Sequence, residues 1–274
     1  MSETPPKDEM SFLDHLEELR WHLIRSVLAI VIIGTIAFLF KDFIFDVLLF
    51  GPKNKDFITY RWFCTISQTL GQGSSFCIDE LPFRIQSRTV AGQFSAHLWT
   101  SVLAGFILSF PYIIYEFWKF ISPGLYEKER KNARGFIFIA SILFFIGVLF
   151  CYYIVTPLSI NFIGNYSVSS EIFNDFDLSS YIGLLRASVL ASGIIFELPI
   201  IIYFLTRVGV ITTQFLKKNR KISLVLVLSL SAIITPPDVV SQIIVSIPIL
   251  ILYEVSIIIS KIVTKNQDKA LQNE

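Results

Sequence analysis

Charge is scarce in this chain of 274 residues: Asp, Glu, Lys and Arg make up 16%, where soluble domains carry about 25%. What charge there is nearly cancels, 23 Lys and Arg against 22 Asp and Glu, for a formal net charge of +1. A nucleic-acid binder needs a basic stripe, and that class is excluded. There are only 3 histidines, His15, His22 and His97, and they have no metal-ligand spacing on a shared span. A Gly-rich phosphate loop, a paired-histidine metal motif and a Gly-x-Ser-x-Gly nucleophile elbow are all missing. Neither a cofactor nor a metal is expected, and enzyme readings start weak. No internal repeat of the inverted-transporter kind is visible.

Apolar residues are what the chain has in excess: 53% hydrophobic and 15% aromatic, with a mean hydropathy of +0.63. That excludes a disordered chain and exceeds what a soluble core of this length requires. The composition reads as a polytopic membrane protein.

A span needs roughly 20 apolar residues to cross about 30 Å of hydrocarbon. Six runs qualify as candidates, 21–40, 94–118, 136–156, 181–205, 222–235 and 239–260. A long outer loop, 41–93, and a polar tail, 261–274, complete one membrane domain over 1–260. The fifth run is short, about 21 Å of helix at 1.5 Å per residue. Pro236-Pro237-Asp238 then forces a turn. A tight helical hairpin or a re-entrant loop fits this pattern.

Direction follows from Lys and Arg in the loops. Sixteen of the 23 fall in the N-terminal segment, the second–third and fourth–fifth loops and the tail, and seven on the other side. Both termini are therefore expected in the cytoplasm. Glu3, Asp8, Glu9, Asp14, Glu17 and Glu18 precede the first apolar run, where a cleavable signal would be basic.

Two cytoplasmic segments carry acids that topology does not require. In 11–25, Phe12, Leu16, Leu19 and Leu23 recur at helical spacing, with Asp14 and Glu18 on the opposite face. An amphipathic helix running into the first span is expected. In the second–third loop, Pro123-Gly124 breaks the helix and Glu127 to Lys131 alternate in sign. Both acid sets read either as solvated helix faces, with ion pairs worth about 0–1 kcal/mol, or as a site for a cationic partner.

Four motifs make the chain recognisable. HLEELRWHL at 15–23 resembles the HLxELRxRL segment of the TatC family, the receptor subunit of the twin-arginine protein translocase. FISPGLYEKER at 120–130 is similar to that family's FxxPGLYxxER loop, FELP at 196–199 to its FExP, and TPPDVVSQ at 235–242 to its TPPDxxSQ hairpin. The match runs in order through about residues 11–260.

The resemblance implies an all-α bundle of six transmembrane helices, bent into a concave, glove-like shape, in the bacterial cytoplasmic (inner) membrane. It implies binding of twin-arginine signal peptides on folded cargo. Assembly with TatA/TatB-type single-span partners in a larger, self-associating complex follows, and so does export driven by the proton-motive force. By motif, Glu18 and Glu129 are the acidic receptors for the arginine pair, with Arg20, Phe120 and Pro123 shaping the patch. Guanidinium is planar, permanently charged and pairs bidentately with carboxylates, so Arg-Arg should be preferred over Lys-Lys.

Inside the bilayer a charge costs about 2.5–3.5 kcal/mol even on a lenient scale. Glu197 in the fourth run therefore requires either an internal hydrogen bond or a partner. The resemblance gives it a polar group on a partner helix or the passing signal peptide. Gln242 and Asp238, at the hairpin, join it as a docking surface by resemblance; for Asp238 a helix-cap role is the plain alternative. Arg186 is outside the family motif and receives no role. Pro111, Pro199 and Pro248 are expected to bend three spans.

The outer loop is longer than the family's usual one. It holds Cys64 and Cys77, which stand on the oxidising side as a disulfide or as two free thiols. Two rival functions are kept. A proton-coupled small-molecule carrier would use Glu197, but needs a second intramembrane charge in a matched repeat. An intramembrane hydrolase would need a nucleophile–base pair, with His97 the histidine available.

Overall fold

The structure is a computed structural model that describes residues 12–69, 71, 77, 81–122, 133–169, 171–172, 174–235 and 239–272. At 12–14, 133–134, 233–234, 239–240 and 266–272 the backbone alone is described. Helices account for nearly all of it. The chain divides into two compact units, residues 1–39 with 101–141, and residues 40–100 with 142–274.

The first unit pairs α1, Phe12–Leu39, with most of α3, Gly92–Ile121. The amphipathic segment and the first span form one unbroken helix, as the apolar spacing implied. The two helices approach backbone to backbone: a Cβ on Gly105 would stand 2.5 Å from the Ile30 carbonyl oxygen. Such contact between small residues is how helices associate where lipid removes the hydrophobic drive.

The second unit begins with a π-helical turn, Phe43–Leu49, followed by α2, Ile58–Thr69, in the outer loop. Tyrosine hydroxyls pin this loop to the spans. Tyr60 is buried, its Oη within 2.9 Å of Pro52 O and 3.1 Å of Pro157 O. Tyr181 donates to Leu49 O at 2.9 Å and Tyr152 to Leu48 O at 3.0 Å. Cys64 and Cys77 are joined as a disulfide, with Cα atoms 4.4 Å apart. Two three-residue strands, β1 (Arg84–Gln86) and β2 (Asp175–Asp177), pair in parallel.

The expected third span is longer than its apolar run. α4, Ala133–Phe150, passes through a π segment, Cys151–Val155, into α5, Thr156–Asn165. Pro157 lacks a backbone N–H. The π segment widens the ladder immediately before it, and the helix continues. The fourth span, conversely, is interrupted. α6, Leu178–Phe196, stops at Glu197, and α7, Leu198–Arg207, starts there with Pro199 in its first turn. A short α8, Thr213–Lys218, leads into α9, Arg220–Ile234, the expected short fifth span at 15 residues.

The last helix, α10, runs Val239–Gln272 and does not stop at 260. Its polar extension carries three Lys and two Gln, which favour helix over coil. Gln242 Nε2 donates to Leu228 O at 3.0 Å, tying α10 to α9. Cys151, Val155, Val227, Val245 and Ile249 form a buried cluster there. Glu254 pairs with Arg220 at 2.7 Å.

Five helical stretches among the described residues are long and apolar enough to cross a membrane: His15–Leu39, Gly92–Ile121, Gly135–Asn165, Leu178–Phe196 and Ser241–Lys265. Their outer surfaces expose Val27, Val31, Phe138, Ile142 and Ile251, while Ser101, Ser109, Ser192, Ser256 and Ser260 are buried. Apolar outside and small polar inside is the pattern of a chain solvated by lipid. The molecule is a multi-pass, all-α membrane protein.

Candidate functional site

The histidines of α1 face the end of α3 within the first unit. His22 Nδ1 lies 2.6 Å from Glu116 Oε2, donating to the carboxylate. Its Nε2 stands 4.0 Å from Glu18 Oε1, one turn back on the same helix. Arg25 Nη1 approaches the same Glu116 oxygen at 3.7 Å. His15 stacks on Phe120, ring centroids 4.4 Å apart, and His22 meets that ring edge-on at 6.3 Å. Lys119 caps the Tyr115 ring at 4.5 Å.

Local sequence explains the convergence. His15, Glu18 and His22 recur at three and four residues, so one helical face carries all three. Glu116 and Phe120 are likewise one turn apart near the end of α3. Two faces of like spacing, brought together by the Gly34–Gly105 contact, interleave ring on ring and ring on carboxylate.

Glu18 is the expected receptor acid, and its side chain is 36% exposed. Its Oε2 is turned inward and has no hydrogen-bond partner among the described residues. A buried acceptor without a partner costs about 1–3 kcal/mol. Phe120 lies beside Glu18's helix through the His15 stack. Arg20 is exposed on α1. Pro123 and Glu129 lie outside the described residues.

Glu116 was not singled out from the sequence. It is 2% exposed and sits inside the second apolar run, where the cost of an intramembrane charge that marks Glu197 applies equally. His22 occupies the position where the HLxELRxRL pattern has arginine. An acid facing it from α3 is the complement of that position's basic chemistry.

In the second unit, Glu197 closes α6 and opens α7. It is 7% exposed, and neither carboxyl oxygen makes a hydrogen bond to a described residue. The internal bond to Ser or Thr, one of its two expected fates, is not formed among these residues. Gln242 is committed to the Leu228 carbonyl. Asp238 lies outside the described residues.

Comparison with known proteins agrees with the four motifs. Residues 14–248 match the family model of the Sec-independent protein translocase protein TatC. The TatC protein of Blattabacterium sp. subsp. Periplaneta americana (strain BPLAN) is 48% identical over 262 residues, covering 95% of this chain and 98% of that one. The TatC of Aquifex aeolicus (strain VF5) is 34% identical over 259 residues, covering 94% and 98%. A crystal structure of the twin-arginine translocase receptor TatC superposes with a TM-score of 0.67 at 32% identity, covering 91% of this chain and 99% of that one. With the family model spanning most of its length, the chain belongs to the TatC family of Sec-independent protein translocase components.

Proposed function

We propose that this chain is the signal-peptide receptor of a twin-arginine translocase in the bacterial inner membrane. Its receptor patch is the acidic face of α1 with the end of α3 and the loop that follows. Glu18 and Glu129 each take one guanidinium of the arginine pair; Arg20, Phe120 and Pro123 shape the surface. The observation that supports this reading best is Glu18 itself, a 36% exposed carboxylate whose buried Oε2 has no hydrogen-bond partner among the described residues.

Glu197, with two buried oxygens that make no hydrogen bond among the described residues, is a polar contact for the helix of a TatA/TatB-type single-span partner, with Gln242 and Asp238 on the same docking surface. The assembled complex passes folded cargo across the membrane at the expense of the proton-motive force. The chain itself performs no covalent chemistry.

The test is binding of the detergent-solubilised chain to a labelled signal peptide with Arg-Arg, against its Lys-Lys twin. The Arg-Arg peptide is expected to bind at least about tenfold more tightly, with Glu18→Ala and Glu129→Ala each removing that margin. Equal affinity for the two peptides, or unchanged affinity in both variants, overturns the reading.

A further inference from the structure

Where the first apolar run ends, at Phe40, and the run of α3 begins, at Phe94, the second unit forms a cavity of about 700 Å³. That is within the range of pockets that hold a small ligand. Lys41, Asp42 and Asp46 line it from the segment after α1 and its π-helical turn, Lys53 from the turn beyond, and His97 from α3. The His97 ring meets Phe45 edge-on at 5.6 Å. Lys53 is steadied by the Phe83 ring, 5.4 Å from its Nζ.

The charges decide what fits. Two lysines and two aspartates sum to zero, and no ion pair within the described residues joins any of the four to another charge. A simple anion entering here meets two carboxylates, and a simple cation meets two ammonium groups. A zwitterion satisfies both sets. The surroundings add the second requirement. Phe94 lines the cavity and is 64% exposed, and Phe40 and Phe43, which flank Lys41 and Asp42 in sequence, are 63% and 55% exposed. A soluble zwitterion has no use for that apolar rim; a lipid does.

We propose that this cavity is a binding site for one zwitterionic phospholipid of the outer leaflet. Its phosphate lies against Lys41 and Lys53, its ammonium against Asp42 and Asp46, and its acyl chains along Phe40, Phe43 and Phe94. The site shares no residue with the proposed receptor patch and does not rest on that reading.

Native mass spectrometry of the full chain tests this, with phosphatidylethanolamine and phosphatidylglycerol of identical acyl chains supplied in equal amounts. Phosphatidylethanolamine should be retained about tenfold more than phosphatidylglycerol. The Lys41→Gln/Asp46→Asn variant should lose that preference. Lys55→Gln, an exposed lysine outside the cavity, should keep it. If the double variant fails to fold, Asp42→Asn alone carries the test, with a thermal unfolding curve alongside. Glycerophosphoethanolamine, the free headgroup, should not displace the lipid at equal concentration. Equal retention of the two lipids, an unchanged preference in the cavity variants, or displacement by the free headgroup overturns the proposal.

Discussion

His22 and Glu116, 94 positions apart in sequence, meet at 2.6 Å and tie α1 to α3. Both side chains are withdrawn from solvent, at 11% and 3% exposure. A buried pair of this kind contributes little net stability when intact, yet breaking it is costly because the survivor keeps its desolvation. Glu116→Ala should destabilise the chain by about 3–5 kcal/mol, and Glu116→Gln by less, since the amide still accepts from His22. A double-mutant cycle with His22→Ala, read by thermal unfolding in detergent, should give a coupling of about 1–3 kcal/mol. Additive single effects would dissolve the pair as a unit.

The close approach of α1 and α3 has its own prediction. On Gly105 a methyl group would meet Ile30 O at 2.5 Å and the Gly34 backbone at 2.8 Å, whereas on Gly183 it would meet nothing within 4 Å. Gly105→Ala should lower stability by about 1–3 kcal/mol through overpacking. Gly183→Ala, within α6, should be neutral or raise it by up to about 1 kcal/mol through helix propensity. Identical midpoints for the two variants would remove the packing argument.

Acid sensitivity is expected at the foot of α6. Asp177 accepts a hydrogen bond from the Arg88 backbone N–H at 3.1 Å and caps the helix through Ser179 N–H at 3.0 Å. The Arg88 bond above all holds its carboxyl below the usual aspartate range. A depressed folded-state value means a contribution that is full above the unfolded value, about 3.9, and is lost as pH falls through the folded one. Wild type should therefore melt above Asp177→Ala at neutral pH, and the gap should close below about pH 4. A gap that persists unchanged at low pH would assign the effect to packing.

Much of the architecture was legible. The period of Phe12, Leu16, Leu19 and Leu23 announced one helix running into the first span, and the 15-residue α9 matches the short fifth run. What a proline does to helix continuity was not legible. Pro111 and Pro248 lie inside unbroken helices, Pro157 is absorbed by the π segment before it, and Pro199 opens a new helix after Glu197. A missing N–H has several remedies, and which one applies depends on neighbours distant in sequence.

Glu116 exposes the limit at the site. Its partner lies 94 residues away, beyond the reach of any periodicity. Its position inside an apolar run was nevertheless a signal of the same kind as Glu197. Glu18 was identifiable by motif, but the orphaned state of its Oε2 depends on how α1 packs.

The 34-residue α10 has a practical consequence. At 1.5 Å per residue it measures about 51 Å, against about 30 Å of hydrocarbon. Its final turns therefore stand clear of the bilayer as a stiff mast. A fluorophore attached near Lys265 would report the tilt of the helix embedded below it, turning a small rotation within the membrane into a displacement of several ångströms at the tip.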